Sequence, residues 1–173
     1  MDPYQRLINQ NKREVASMPD FSVCRQRPFL LGIDRQMFER LAAIAKYRVY
    51  QPDEIIIREG EQKDEILLIE EGQVEVFKSG TKRDSKTHKI TNLAGSNKLY
   101  DLYQGDVLGE MSLIDVEPPS ASVRAITEVG IWSMDRLEFN AALSEDLEAY
   151  NTILANIARI LSRRLRDTTA QLV

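Results

Sequence analysis

Residues 64–77 read Asp64-Glu65-Ile66-Leu67-Leu68-Ile69-Glu70-Glu71-Gly72-Gln73-Val74-Glu75-Val76-Phe77, two short apolar-rich runs broken by Glu71-Gly72. Runs of this length, rich in β-branched and aromatic residues and bounded by a glycine, pattern as strands, and glycine supplies the backbone angles a tight turn needs. The stretch is therefore a hairpin, and Glu70 and Glu71 read as solvated charge at its turn.

The same signature extends in both directions. Upstream lie Tyr47 to Tyr50 and Glu54 to Arg58, with Pro52-Asp53 between them and Gly60-Glu61 after them. Downstream, a polar segment from Lys78 to Lys98 holds one strand, Thr87 to Leu93, and reads as a long hairpin. Leu99 to Tyr103, Ala121 to Thr127 and Gly130 to Met134 complete the set, with Gly105-Asp106 as a further turn. Roughly eight short strands joined by tight turns predict a sandwich or barrel of hairpins and not a βαβ series.

Helical periodicity flanks this β region. After Asp34, a residue suited to cap a helix, the apolar positions Met37, Phe38, Leu41, Ala42, Ile44 and Ala45 recur at three- and four-residue steps. Beyond Met134 a short helix from Asp135 through Leu143 leads to a longer one beginning near Ser144 or Glu145. Its apolar set (Leu147, Tyr150, Ile153, Leu154, Ile157, Ile160, Leu161 and Leu165) is wider than one helix needs to lie on its own domain. Leu147, Tyr150, Leu154, Ile157 and Leu161 suit a coiled-coil seam, so a homodimer through 144–173 is expected alongside packing onto the β region. Arg159, Arg163, Arg164 and Arg166 crowd the last turns, where cations suit the helix dipole, and read as a solvated basic end. In the first twenty residues Tyr4, Leu7 and Ile8 are too few to assign firmly.

Composition bounds the function classes. The chain has 173 residues, enough for one domain with a real core, and its 43% apolar and 29% charged content is that of an ordinary globular protein. A net charge of -4 gives no overall attraction to nucleic acid. No apolar run approaches the ~20 residues needed to cross a bilayer, and the polar Met1–Gln10 segment lacks a signal-peptide core, so a cytoplasmic location without membrane contact is expected. Cys24 is the only cysteine, consistent with a reducing compartment, and reads as a small, partly buried hydrophobe. His88 stands alone in its hairpin without the neighbours a metal site needs, so neither metal nor cofactor is expected. There is no Gly-x-Ser-x-Gly elbow and no P-loop, and the chain is not expected to be an enzyme.

Particular residues resemble the cyclic nucleotide-binding domain family. Phe29-Leu30 with the helix after it, Gly60-Glu61, Asp64-Glu65-Ile66-Leu67 and Glu71-Gly72-Gln73-Val74-Glu75-Val76 are similar to the family's first half. Gly105-Asp106, Gly109-Glu110-Met111-Ser112-Leu113 and Ser120-Ala121-Ser122-Val123-Arg124-Ala125 are similar to its phosphate-binding cassette. The resemblance covers Phe29 to the end of the chain. It implies a mainly β fold with flanking α-helices, an eight-stranded antiparallel, jelly-roll-like β-roll with N-terminal helices and a long C-terminal helix. The expected organisation is an N-terminal, partly helical extension over 1–28, the roll over 29–143, and a dimer or lid helix over 144–173.

The cassette makes chemical sense residue by residue. A phosphate needs backbone N–H donors and positive potential, both available where a short helix begins after a close-approaching glycine, and Gly109, Glu110, Met111 and Ser112 can form such a nest. By the resemblance, Glu110 accepts from a ribose 2′-hydroxyl; otherwise it is an acidic residue favoured by the helix dipole. Ser120 and Ser122 offer hydroxyls and Ala121 an amide to the same ligand, cyclic AMP, cyclic GMP or another small anion. Ligand-binding members continue the cassette with Pro-Arg, the arginine pairing with phosphate, where this chain has Pro118-Pro119. Losing a charge-assisted bond worth about 1.5–3 kcal/mol weakens binding by one or more orders of magnitude. Arg124 is the nearest substitute if it shares a side with Ser120 and Ser122; the alternative is a surface arginine on a rim strand.

The expected function is thus a small-ligand-sensing regulatory domain with altered cyclic nucleotide binding. A ligand-free interaction scaffold of the same fold is the alternative. The resemblance extends to bacterial catabolite activators, but Val173 leaves no room for their helix-turn-helix, so DNA binding is not expected.

Overall fold

Two four-stranded antiparallel sheets organise the protein, whose computed structural model describes residues 20–83, 90–115 and 117–170, without the side chains of 79–83 and 90–96. Strands β1 (Lys46–Tyr50), β8 (Val129–Asp135), β3 (Glu65–Glu71) and β6 (Val107–Leu108) lie side by side in that order in the first sheet. The second runs β2 (Ile55–Ile57), β7 (Ser122–Ala125), β4 (Gln73–Arg83), β5 (Ile90–Tyr103). Helices α1 (Phe21–Cys24) and α2 (Arg35–Ile44) precede the strands, and α3 (Arg136–Ser144) and α4 (Leu147–Ala170) follow them. This is the antiparallel roll with flanking helices expected from the sequence.

Strand β3 explains why the opening stretch is so apolar. Side chains alternate between the faces of a strand, and both faces of β3 are covered. Ile66 and Leu68 enter a core shared with the helices, together with Phe29, Met37, Trp132, Phe139, Ile153 and Ile157. Leu67 and Ile69 enter a second core between the sheets, with Val74, Val76, Val123 and Ile131. Strand β8 splits the same way, Trp132 and Met134 on one side and Val129 and Ile131 on the other.

The strand count of eight holds among the described residues, but with a different membership. Leu99–Tyr103 and residues 90–93 of the upstream strand expected at Thr87–Leu93, whose first three residues lie outside the described ones, join in the single long β5, which pairs with β4 through register shifts at Val76/Phe77 and Ser79/Thr81. The two-residue β6 is the one the periodicity did not reveal, being too short to show any. Tyr4, Leu7, Ile8 and His88 lie outside the described residues.

The helices begin at acidic caps. Asp34 accepts from Met37 N at 2.7 Å, Asp135 from Leu137 N at 2.8 Å, and Asp146 from Ala149 N at 3.0 Å. The Asp146 cap sets the start of α4 at Leu147, slightly later than the Ser144 or Glu145 expected. Ile153, Asn156, Ile157 and Ile160 form the buried stripe of α4, and Asn156 Nδ2 donates to Phe29 O and Leu31 O. That buried amide holds α4 against the turn Pro28–Leu30.

The reading of Glu70 as solvated charge is corrected, whereas Glu71 is exposed as expected. Arg27, 6% exposed, forms a two-pronged ion pair with Glu70 at 2.8 and 3.0 Å, and Glu71 accepts from the Tyr47 hydroxyl at 2.7 Å. Burial, and secondly the Glu71 bond, push the Tyr47 phenol up to about 12. Both acids anchor strands because their partners arrive from elements distant in sequence.

Candidate functional site

Gly109 decides the local geometry. Its φ of +74° is left-handed, and a Cβ there would stand 2.2 Å from Glu65 O on β3. Only glycine permits that approach. The chain then turns through a single 3-10 segment, Glu110–Leu113, in which Ser112 N and Oγ both donate to Gly109 O. The segment is a helical turn at a glycine, as the cassette pattern predicts, but the Ser112 hydroxyl is spent within it.

Beside this turn lies a cavity of about 180 Å³. Ile57, Val76, Leu108, Ala121 and Val123 supply apolar wall, and Pro118 and Pro119, exposed and half-buried respectively, line its lip. Pro119 O accepts from Gly60 N at 2.9 Å, which fastens the cassette to the β2–β3 turn. Gly109, Glu110, Met111, Ser112, Ser120 and Ala121 all line the cavity, so six of the expected positions come together.

Ser122 and Arg124 do not line it. The Ser122 hydroxyl accepts from Glu59 N at 3.0 Å, and Arg124 Nη2 binds Glu75 Oε2 at 2.6 Å with its guanidinium 5.3 Å from the centre of the Phe77 ring. Strand alternation sends Val123 and Ala125 into the core and Arg124 to the other face, so Arg124 stands away from the place of the missing cassette arginine.

Among the described residues three cations line the cavity, Lys63, Arg136 and Arg164, and Arg164 of α4 is the one paired with Glu110. Its Nη1 donates to Glu110 Oε1 at 2.5 Å and its Nη2 to Val107 O at 2.6 Å. Glu110 is 3% exposed, and burial raises its carboxyl above the usual range while the Arg164 charge partly offsets the rise. The reading of Arg164 as part of a solvated basic end is thereby corrected. Sequence did carry a signal: Arg164 follows Ile153, Ile157 and Ile160 at helical spacing, on the buried stripe. Tyr100 of β5 also lines the cavity, and its phenol is raised by burial. Among the described residues no group of three or more His, Cys, Asp or Glu is placed to hold a metal ion, and no helix is long and apolar enough to cross a membrane.

Comparison with known proteins agrees with this geometry. A family model described as cyclic nucleotide-binding domain matches residues 47–146. The cAMP-dependent protein kinase regulatory subunit of Schizosaccharomyces pombe is 26% identical over 145 residues, 84% of this chain and 31% of that protein. The chain thus spans less than a third of the curated kinase regulatory subunits it matches first. Among solved structures, the catabolite activator protein of Thermus thermophilus aligns at a TM-score of 0.63 with 25% identity, over 84% of this chain and 61% of that one. A regulatory subunit of a cAMP-independent protein kinase A from Trypanosoma cruzi, bound to guanosine, aligns at 0.59 with 27% identity, over 80% and 43%. A match across more than half its length, on a roll that brings the Gly109–Ser112 turn to a cavity, makes this chain a member of the cyclic nucleotide-binding domain family.

Proposed function

We propose that the domain is a small-ligand-sensing regulatory module, not an enzyme, in which a ligand enters the cavity beside Gly109 and α4 reports its arrival. The observation that carries this reading is the pairing of Arg164 with Glu110. A ligand hydroxyl that seeks the Glu110 carboxylate competes with a side chain of α4, so occupancy and helix position are linked. Cyclic nucleotides bind weakly in this reading, because Pro119 stands where binding members carry arginine and Arg124 is committed to Glu75. The guanosine-bound kinase regulatory subunit supports a roll of this kind accepting a nucleoside without phosphate.

Titration calorimetry with cyclic AMP and cyclic GMP tests the reading, paired with amide exchange along α4. Weak binding with altered exchange at the end of α4 is expected. No heat and no thermal shift at millimolar ligand ends the cyclic nucleotide form of the proposal.

A ligand-free scaffold is the second reading, favoured by Arg164 already satisfying the cavity's buried acceptor. Under it, Pro119→Arg creates binding where the native chain has none. Self-association through 144–173 is compatible with either. Of the expected seam, Ile157 is fully buried in the domain's own core with Tyr150 and Leu161 packed against it, which leaves Leu147, 73% exposed, together with Leu165, 69% exposed, for a partner helix, and light scattering of the purified chain reads the oligomeric state directly. DNA binding is not part of the proposal, and absence of any shift of duplex DNA at low salt is the expected result. A cytoplasmic setting belongs to the same reading and rests on the single thiol.

A further inference from the structure

We infer that the cavity selects an uncharged, hydroxylated heteroaromatic ligand of the nucleoside class over its cyclic monophosphate. The inference rests on the sensing reading above and names the ligand class for that site.

Charge in the cavity is already spoken for. Among the described residues three cations line it, and each has a carboxylate beside it. Arg164 spends Nη1 on Glu110 and Nη2 on Val107 O. Arg136 Nε lies 3.3 Å from Asp64 Oδ1, an ion pair by distance in which Nε makes no hydrogen bond. Lys63 Nζ donates to Ile56 O at 2.7 Å and lies 3.5 Å from Glu65 Oε2. An incoming phosphate therefore meets cations whose charge is already balanced by a neighbouring carboxylate, which lowers the net attraction they offer it.

The lip carries the opposite sign from the one a phosphate needs. Asp115 and Glu117 line the cavity and are exposed, immediately before Pro118 and Pro119. A monoanion at this lip meets like charge, screened by water but not abolished. An uncharged ligand avoids that repulsion. Its flat apolar body is matched by the walls at Ile57, Val76, Leu108 and Val123, and a hydroxyl finds an acceptor in Glu110. Pockets that are mostly apolar with one or two placed polar groups take such ligands by burying the body and orienting it through the polar group.

The test is calorimetric titration of the whole chain with guanosine and adenosine against cyclic GMP and cyclic AMP, at low and high salt. Each nucleoside is expected to bind about 10- to 100-fold more tightly than its cyclic monophosphate, the range set by the cost of desolvating a charged group that gains no full partner. Lowering the salt is expected to widen the gap, since only the anion feels the lip. Asp115→Asn with Glu117→Gln, and separately Pro119→Arg, are expected to narrow it. Cyclic monophosphates binding as tightly as their nucleosides, or gaining affinity at low salt, overturns the inference and leaves the sensing reading standing. Failure of all four compounds to bind overturns both.

Discussion

Arg164 Nη1 donates to Glu110 Oε1 at 2.5 Å, joining the last turns of the C-terminal helix to the first residue of the turn that lines the cavity. The pair is 54 residues apart in sequence, and its side chains are 16% and 4% exposed. No other ion pair among the described residues ties α4 to the roll.

Removing the arginine leaves a buried carboxylate without its counter-charge. Arg164→Ala is expected to cost about 3 kcal/mol in denaturant unfolding, because breaking a buried pair strands the remaining charge. The double variant Glu110→Ala with Arg164→Ala is expected to cost less than the two single changes summed, as a double-mutant cycle reads for coupled residues. Amide exchange in the last turns of α4 is expected to quicken in all three. Additive costs sink the coupling.

The pH dependence follows from burial of Glu110, which raises its folded-state carboxyl above the ordinary value of 4.5. Below that value both folded and unfolded chains hold the proton. As pH climbs through the interval up to the raised value, the unfolded chain ionises first and the folded chain binds more protons, so stability falls. Comparing the native chain with Glu110→Gln across this interval isolates the effect from other carboxylates. The native chain is expected to lose stability relative to the variant with rising pH, then level off; a flat difference contradicts the assignment.

Gly109 tolerates no side chain. A Cβ at 2.2 Å from Glu65 O, at a φ of +74°, must displace β3 or the turn. Gly109→Ala is expected to destabilise the fold by about 2–3 kcal/mol or more, combining backbone strain with overpacking. Gly60, where a Cβ meets nothing within 4 Å, is the control. Its alanine variant pays for the left-handed φ of +77° alone and is expected to cost less.

Arg27 and Glu70 join the N-terminal segment to β3. Arg27→Met removes the cation, keeps much of the apolar stem volume, and leaves Glu70, 28% exposed, with water as its partial substitute. A loss of about 2 kcal/mol in thermal or denaturant unfolding is expected, below that of a fully buried pair.

Much of this molecule was legible from residue order because its signals are local. The turn at Gly72, the cap at Asp34, and the Gly109–Ser112 turn each depend on residues within a few positions, and each forms where the sequence reading places it. Strand β6 escaped because two residues show no period, and the merger of two expected strands into β5 is a matter of pairing with β4. The cassette serines divided for a similar reason: Ser120 lines the cavity, while Ser122 turns to the Glu59 amide on the neighbouring segment.

Residue order alone therefore determined most of the strands and their turns, since periodicity and glycine conformation act over short range, and the family resemblance supplied the roll and the place of the cavity-lining glycine. The tertiary structure decided which charges meet. Glu70 found Arg27, Arg124 found Glu75, and Glu110 found Arg164, each across 43 or more residues of chain. An ion pair forms by proximity in space, and no spacing in sequence encodes a partner delivered by another element.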